Sequence, residues 1–330
     1  MNWINRLSVI LTLALLSACN LPSNASDPAP DLLATLAAST PLAVDAPPTP
    51  YPVSPDGEPY GKIAFTCQVF RVTATNQICI INADGSGFRR LTTDNTRQHY
   101  YPSVAPDGRS VVYAAFREPN IYEIYEIEID TGGVKQLTDR LGNVNGPEIS
   151  PDGSLIAFKL STPTSNEIWL MNRDGSNQRR IPNASGWDPT WSPDGNFILF
   201  ASDMQGAIQL FRIRLDGSDL QKVSDLPAIR GRSDWSPDGR FIVTYSGPAW
   251  NRDVYIMNAD GSNARMLSPT GGNSQGPSIS PDGGWVAFTS YFDKYRDDHG
   301  CEIYIMRVDG TDVRRLTAND YCDYQPRWGP

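Results

Sequence analysis

The sequence predicts an all-β chain folded as a six-bladed β-propeller of four-stranded blades. Three observations predict it. A phrase of the form Ser-Pro-Asp-Gly, then two residues, then a β-rich run, occurs five times with one Ala-for-Ser exchange. The runs begin at 63, 111, 156, 198, 242 and 286, a period in the forties throughout. The last residues, Gln325-Pro326-Arg327-Trp328-Gly329-Pro330, supply the one strand that the first unit lacks.

Each unit is built the same way. Its first strand ends in a slot held by Val104, Ile149, Trp191, Trp235, Ile279 or Trp328. A Pro-Asp-Gly turn follows in five units, where glycine accepts a positive φ. The second strand is the run itself: Ile63-Ala64-Phe65, Val111-Val112-Tyr113, Ile156-Ala157-Phe158, Ile198-Leu199-Phe200, Ile242-Val243-Thr244 or Val286-Ala287-Phe288. Such β-branched and aromatic residues favour strands. The third strand runs into a second glycine turn, as in Ile168-Trp169-Leu170-Met171 before Gly175 and Ile303-Tyr304-Ile305-Met306 before Gly310. A short fourth strand follows, as at Arg89-Arg90-Leu91-Thr92. The Asp-Gly pairs read as hairpin chemistry rather than calcium ligands, because each sits between two strands without a dense carboxylate loop. Four short strands per unit make one propeller blade. The C-terminal strand joining blade one closes the ring and leaves no free edge.

The repeated phrases resemble the TolB-type β-propeller repeat, with its Trp-Ser-Pro-Asp-Gly and Ile-Tyr-x-Met-Asn-x-Asp-Gly phrases. The resemblance covers about residues 61–330. It is specific for fold and weak for function, since such propellers serve as scaffolds, receptors and domains of larger enzymes. The family's namesake is periplasmic and contacts a peptidoglycan-associated lipoprotein, but the resemblance does not equate this chain with it.

The N-terminus reads as an address. One charge, Arg6, precedes twelve mostly apolar residues, Leu7 to Ala18, too few to span a bilayer as a helix. The run ends Leu16-Ser17-Ala18-Cys19, which resembles the bacterial lipobox. That resemblance implies cleavage before Cys19, a diacylglyceryl anchor on its thiol, and export to a bacterial membrane with the folded part outside the cytoplasm. The expected organisation is a lipoprotein signal peptide over 1–18, a lipidated cysteine with a Pro/Ala-rich disordered tether over 19–60, and the propeller over 61–330.

Composition narrows the function. A net charge of -9 argues against nucleic acid, which requires a basic surface. Two histidines leave little room for a His-rich metal site or proton relay, and neither a metal nor another cofactor is expected. Gly272-Asn273-Ser274-Gln275-Gly276 matches Gly-x-Ser-x-Gly, but that nucleophile motif needs a strand before it and a helix after it. Asp293, Asp297, Asp298, Asp320 and Asp323 could serve a carboxylate-dependent glycan-active enzyme, and read more simply as a solvated acidic rim.

The loops between second and third strands and between blades share one face and differ from blade to blade. Function concentrates on such loops, and Tyr, Trp and Arg anchor interfaces. The expected binding residues are His99, Tyr100, Tyr101, Trp187, Arg232, Trp250, Tyr291, Tyr295 and Arg296. The expected function is a non-catalytic scaffold that binds an envelope or extracellular protein through this face. The alternative is a polysaccharide-binding receptor or a glycan-active enzyme. Four cysteines remain after Cys19, enough for two disulfides in an exported protein. Local pairing, Cys67 with Cys79 and Cys301 with Cys322, is preferred. The rival joins Cys67 to Cys322 and would lock the ring.

Overall fold

The computed structural model describes residues 57–69, 75–229 and 231–330. The signal peptide, the lipidation site Cys19 and most of the expected tether lie outside the described residues. Residues 57–60, the last of that tether, lie against the propeller. Trp285 Nε1 donates to Gly57 O at 3.1 Å, and Trp328 Nε1 donates to Tyr60 O at 2.8 Å.

The described residues form six four-stranded antiparallel sheets. Blade one holds β1 (Lys62–Val69), β2 (Thr75–Asn82) and β3 (Arg89–Arg90). Blade two holds β4 (His99–Val104), β5 (Ser110–Glu118), β6 (Ile121–Glu128) and β7 (Val134–Gln136). Blade three holds β8 (Asn143–Ile149), β9 (Leu155–Ser161), β10 (Asn166–Asn172) and β11 (Arg179–Ser185). Blade four holds β12 (Trp187–Trp191), β13 (Phe197–Ser202), β14 (Gln209–Arg214) and β15 (Gln221–Lys222). Blade five holds β16 (Asp234–Trp235), β17 (Phe241–Ser246), β18 (Asp253–Asn258) and β19 (Arg265–Met266). Blade six holds β20 (Gln275–Ile279), β21 (Trp285–Ser290), β22 (Glu302–Arg307) and β23 (Arg314–Arg315). The final strand, β24 (Asp323–Gly329), pairs with β1 and completes blade one.

The repeat phrases set the register. Val104 pairs with Val111, Ile149 with Ile156, Trp191 with Ile198, Trp235 with Ile242, Ile279 with Val286, and Trp328 with Ile63. Second strands are apolar on both faces because a blade lies on each side. Ile63 and Phe65 pack toward blade six, while Ala64 packs toward blade two. Ile156 and Phe158 pack toward blade two, while Ala157 packs toward blade four. The core is thus a set of clusters between neighbouring blades.

The turns are held by their own side chains. Asp174 Oδ1 accepts from Ser176 N at 2.9 Å and from its Oγ at 2.6 Å. Asp84, Asp216, Asp260 and Asp309 do the same with Ser86, Ser218, Ser262 and Thr311. These bonds hold the Asp84 and Asp174 carboxyls below the usual carboxylate range. The Asp-Gly pairs therefore perform turn chemistry.

Both disulfides follow the local pairing, Cys67 with Cys79 and Cys301 with Cys322. The second bond does more than link two loops of one blade. Cys301 precedes β22 of blade six and Cys322 precedes the closing strand β24, so it ties the seam where the ring closes.

Candidate functional site

The first strand of each blade faces the central channel and sets its lining. In five blades this strand carries a register shift. The shift falls at a residue with positive φ just before a proline: Tyr101 (56°), Gly146 (61°), Asp188 (52°), Gly276 (60°) and Gln325 (57°). Bulges re-aim side chains, and non-glycine residues hold this conformation at a cost that their surroundings must offset. Blade five departs from the pattern. It has Arg232-Ser233 where the others have residue-proline, and its first strand is only two residues long.

Two residues further on, one slot of every first strand supplies an inner layer. Ser103, Glu148, Thr190, Asp234, Ser278 and Arg327 occupy it, paired with Val112, Ala157, Leu199, Val243, Ala287 and Ala64. Arg327 Nη2 lies 2.7 Å from Glu148 Oε2, and Nη1 lies 3.3 Å from Asp234 Oδ2. Asp234 Oδ2 also accepts from Ser278 Oγ at 2.8 Å and from Ile279 N at 2.9 Å. Burial lifts the Glu148 pKa and Arg327 offsets part of that rise. Burial pulls Arg327 down, but Glu148 and Asp234 together carry it above the ordinary arginine value.

Beside this layer, on the variable-loop face, lies a cavity of about 340 Å³ lined by residues of five blades. Tyr101, Arg232 and Tyr291 line it, joined by Gln68, Asp188, Tyr245, Gln275, Thr289, Asp298, Tyr324 and Gln325. Arg232 is 8% exposed, and its Nη2 donates to Pro102 O at 2.8 Å. Its guanidinium carbon lies 6.0 Å from the Tyr101 ring centre. Burial, with Arg327 nearby, lowers the Arg232 pKa to about 10. Burial likewise pushes the Tyr101 and Tyr324 hydroxyls up.

A second group stands on the rim. Trp250, in the loop before β18, meets Tyr291 and Tyr295 edge-on with ring centres 5.1 and 6.2 Å away. The Tyr295 hydroxyl donates to Trp250 O, and the Arg296 guanidinium sits 5.5 Å from the Tyr295 ring centre. Trp250 and Arg296 both have positive φ, 63° and 65°. Tyr295 is 44% exposed.

The remaining expected binding residues have packing places. His99 is buried, with Nδ1 3.3 Å from Asn76 O and its ring against Tyr113, and burial lowers its pKa. Tyr100 packs against Phe116 and Tyr122, and its hydroxyl accepts from Asn76 Nδ2 at 2.8 Å. Trp187 is half-buried against the cluster between blades four and five. These residues lie in or at the start of first strands, and His99 and Tyr100 pack on rings of their own blade while hydrogen-bonding Asn76 of blade one.

The acidic residues near blade six are mostly engaged by their own partners, and Asp323 shares Asn319 with Glu302. Asp293 accepts from Tyr304 Oη at 2.7 Å and from Arg315. Asp297 Oδ1 accepts from His299 N at 3.0 Å, and Asp320 lies 3.1 Å from Lys294 Nζ. Asp323 is buried on Asn319, and Asp298 alone lines the cavity. Ser274 of the Gly-x-Ser-x-Gly match is also buried, donates to Ser290 Oγ at 3.2 Å, and leads into strand β20 rather than a helix. Among the described residues, no group of three or more His, Cys, Asp or Glu is arranged to hold a metal ion.

Asp188 and Gln325 escaped sequence reasoning, though a signal existed: each precedes the proline of the first-strand phrase, as Tyr101 does. Gln68, Tyr245 and Tyr324 carried none, since strand ends reach the cavity only through the ring's curvature.

Comparison with known proteins supplies the context. A family model described as PD40, TolB beta propeller domain, matches residues 57–296. An uncharacterized protein of Agrobacterium fabrum is 33% identical over 136 residues, 40% of this chain and 43% of that protein. A Tol-Pal system protein TolB of Francisella tularensis is 37% identical over 82 residues, 24% of this chain and 19% of its own length. The chain thus spans less than half the length of these curated relatives. The crystal structure of TolB from Acinetobacter baumannii superposes with a TM-score of 0.70 at 24% identity, covering 82% of this chain and 67% of that one, a likeness of fold.

Proposed function

We propose, for a chain that belongs to the TolB beta propeller domain family, a role as a non-catalytic scaffold of the cell envelope that binds another protein through its variable-loop face. The observation that carries this reading is the rim group of Trp250, Tyr291, Tyr295 and Arg296. Two of its four residues are held in the left-handed region, which costs about 1–3 kcal/mol each and persists where surroundings impose it. The group is thus preorganised, and preorganised aromatic and arginine side chains are the usual anchors of protein interfaces. The relative from Francisella tularensis is named as a Tol-Pal system protein, which supports a partner in the envelope. Asp293 is engaged by Tyr304 and Arg315, Asp320 by Lys294, and Asp323 is buried, which weakens the glycan-active alternative, since that needs two carboxylates about 5–10 Å apart around a substrate.

The lipobox-like Leu16-Ser17-Ala18-Cys19 supports anchoring of this scaffold to a bacterial membrane. Stable anchoring takes more than one acyl chain, which a diacylglyceryl group provides.

The test is a pull-down from native membranes with the tethered protein beside a Trp250→Ala, Tyr295→Ala, Arg296→Ala variant. A stoichiometric protein lost from the folded variant is the expected result. Equal retention by the variant would place the interface elsewhere. Binding of polysaccharide resin with no protein partner would favour the glycan reading. For the anchor, Cys19→Ser is expected to release the chain from the membrane fraction.

A further inference from the structure

We propose that the cavity at the channel mouth binds a small zwitterion, such as an amino acid or short peptide, with its carboxylate on Arg232 and its ammonium on Asp188.

The argument starts from charge pairing. Two arginines, Arg232 and Arg327, stand close together in the channel, with Glu148 and Asp234 as the carboxylates of the inner layer. Arg327 takes both, at 2.7 and 3.3 Å. Arg232 forms no ion pair among the described residues, its one side-chain hydrogen bond goes to a backbone carbonyl, and its Nε has no partner. It is nonetheless 8% exposed and lines the cavity. Glu148 and Asp188 lie near enough to favour its charge without pairing with it, burial still outweighs them, and an incoming carboxylate at hydrogen-bond distance offsets that cost.

The opposite charge is on the same wall. Asp188 is half-buried and lines the cavity. Its Oδ2 accepts from Arg232 N at 3.1 Å, but it forms no ion pair with a cationic side chain among the described residues. Lys159 senses its charge without reaching ion-pair distance. Asp188 occupies the left-handed position before a proline, where a bulge aims the side chain at the channel. An unpaired guanidinium and an unpaired carboxylate in one cavity complement a ligand carrying both charges. A phosphate dianion fits poorly, because Asp188 and Asp298 would repel it. The volume of about 340 Å³ lies at the lower end for small-molecule sites, which suits a ligand of this size.

The experiment is calorimetric titration of the full chain with glycylglycine, N-acetylglycylglycine, glycylglycinamide and inorganic phosphate. Glycylglycine is expected to bind saturably at one site. Removing either charge should weaken binding at least about tenfold, as for a lost hydrogen-bonded ion pair. Arg232→Gln should lower glycylglycine affinity by a similar factor. Asp188→Asn should lower glycylglycine affinity but leave the N-acetyl form unchanged. This variant keeps an oxygen for Arg232 N, so it decides the matter if Arg232→Gln fails to fold. No saturable binding of glycylglycine up to about 50 mM, tighter binding of phosphate, or unchanged glycylglycine affinity in either folded variant would overturn the proposal. The titration needs no protein partner, so its failure leaves the rim reading untouched, and failure of the pull-down leaves this one untouched.

Discussion

Arg327 and Glu148 stand 179 positions apart in sequence and in different blades, yet they meet across the channel at 2.7 Å. Arg327 belongs to the last strand, so this contact links ring closure to blade three. Asp234 draws the same guanidinium toward blade five. Thr190 Oγ1 and Trp191 Nε1, in blade four, donate to Glu148 Oε1 and O at 3.3 and 3.0 Å. One buried charged layer thereby fastens the closing strand to several blades at once.

Arg327→Met should therefore be severe. It strands two mostly buried carboxylates, and losing one partner of a buried ion pair costs up to about 3–5 kcal/mol. Glu148→Gln should cost less, because Arg327 keeps Asp234. The double variant Arg327→Met, Glu148→Leu should recover part of the loss. Denaturant midpoints of the three variants check this order. A neutral Arg327→Met would show that the layer adds no stability.

Two glycines separate backbone strain from crowding. Gly153 has φ 74° and open space around a would-be Cβ. Gly153→Ala should cost only the left-handed conformation, about 1–2 kcal/mol. Gly261 has φ 85°, and its Cβ would fall 1.5 Å from Val223 O in the neighbouring blade. Gly261→Ala should cost roughly twice as much or more, because the backbone must also shift. Thermal unfolding of both variants compares the two effects.

Asp323 makes stability depend on pH. Burial raises its carboxyl from 3.8 to about 7, and the hydrogen bond from Asn319 only partly opposes this. A carboxyl raised on folding contributes stability below its unfolded pKa and loses it as pH climbs through the folded value. Stability from this site should fall between about pH 4 and pH 7 and stay low above. The whole change is at most about 4 kcal/mol at 1.36 kcal/mol per pH unit. Urea unfolding across that range should show the decline, and Asp323→Asn should flatten it. Burial also raises Glu302, so part of the slope should survive in the variant.

Each disulfide should stabilise by about 3 kcal/mol, given loops of 12 and 21 residues. Their losses should differ in kind. Cys67→Ser with Cys79→Ser loosens only the pairing of β1 with β2 inside blade one. Cys301→Ser with Cys322→Ser releases the seam, and amide exchange should rise along β24 before it rises elsewhere. Uniform exchange across all blades would contradict a local role for that bond.

Much of the fold was legible in the sequence for a local reason. Periodic β-rich runs, Asp-Gly turns and the terminal Pro-Arg-Trp phrase each act over a few residues, and repetition made them unmistakable. The slot from Val104 to Trp328 was visible as a recurring position, and the structure added its partner, the first residue of the β-rich run. The candidate site was less legible. The expectation grouped His99 and Tyr100 with Trp250 because all are aromatic residues near loops. Strand position decided otherwise: His99 begins β4 and is buried against Tyr113 of its own blade, while Trp250 stands in a loop that reaches the rim.

By itself the sequence determined the blade count, the turn chemistry and the variable character of one face; it preferred local disulfides, and the structure chose them over the Cys67–Cys322 rival. Tertiary structure alone decided that Arg327 takes both inner carboxylates, that Arg232 forms no ion pair among the described residues, and that Asp188 shares its cavity. The physical reason is closure. Residues of separate blades become neighbours only when the ring brings six first strands around one axis, and no periodicity along the chain records which charges then face each other.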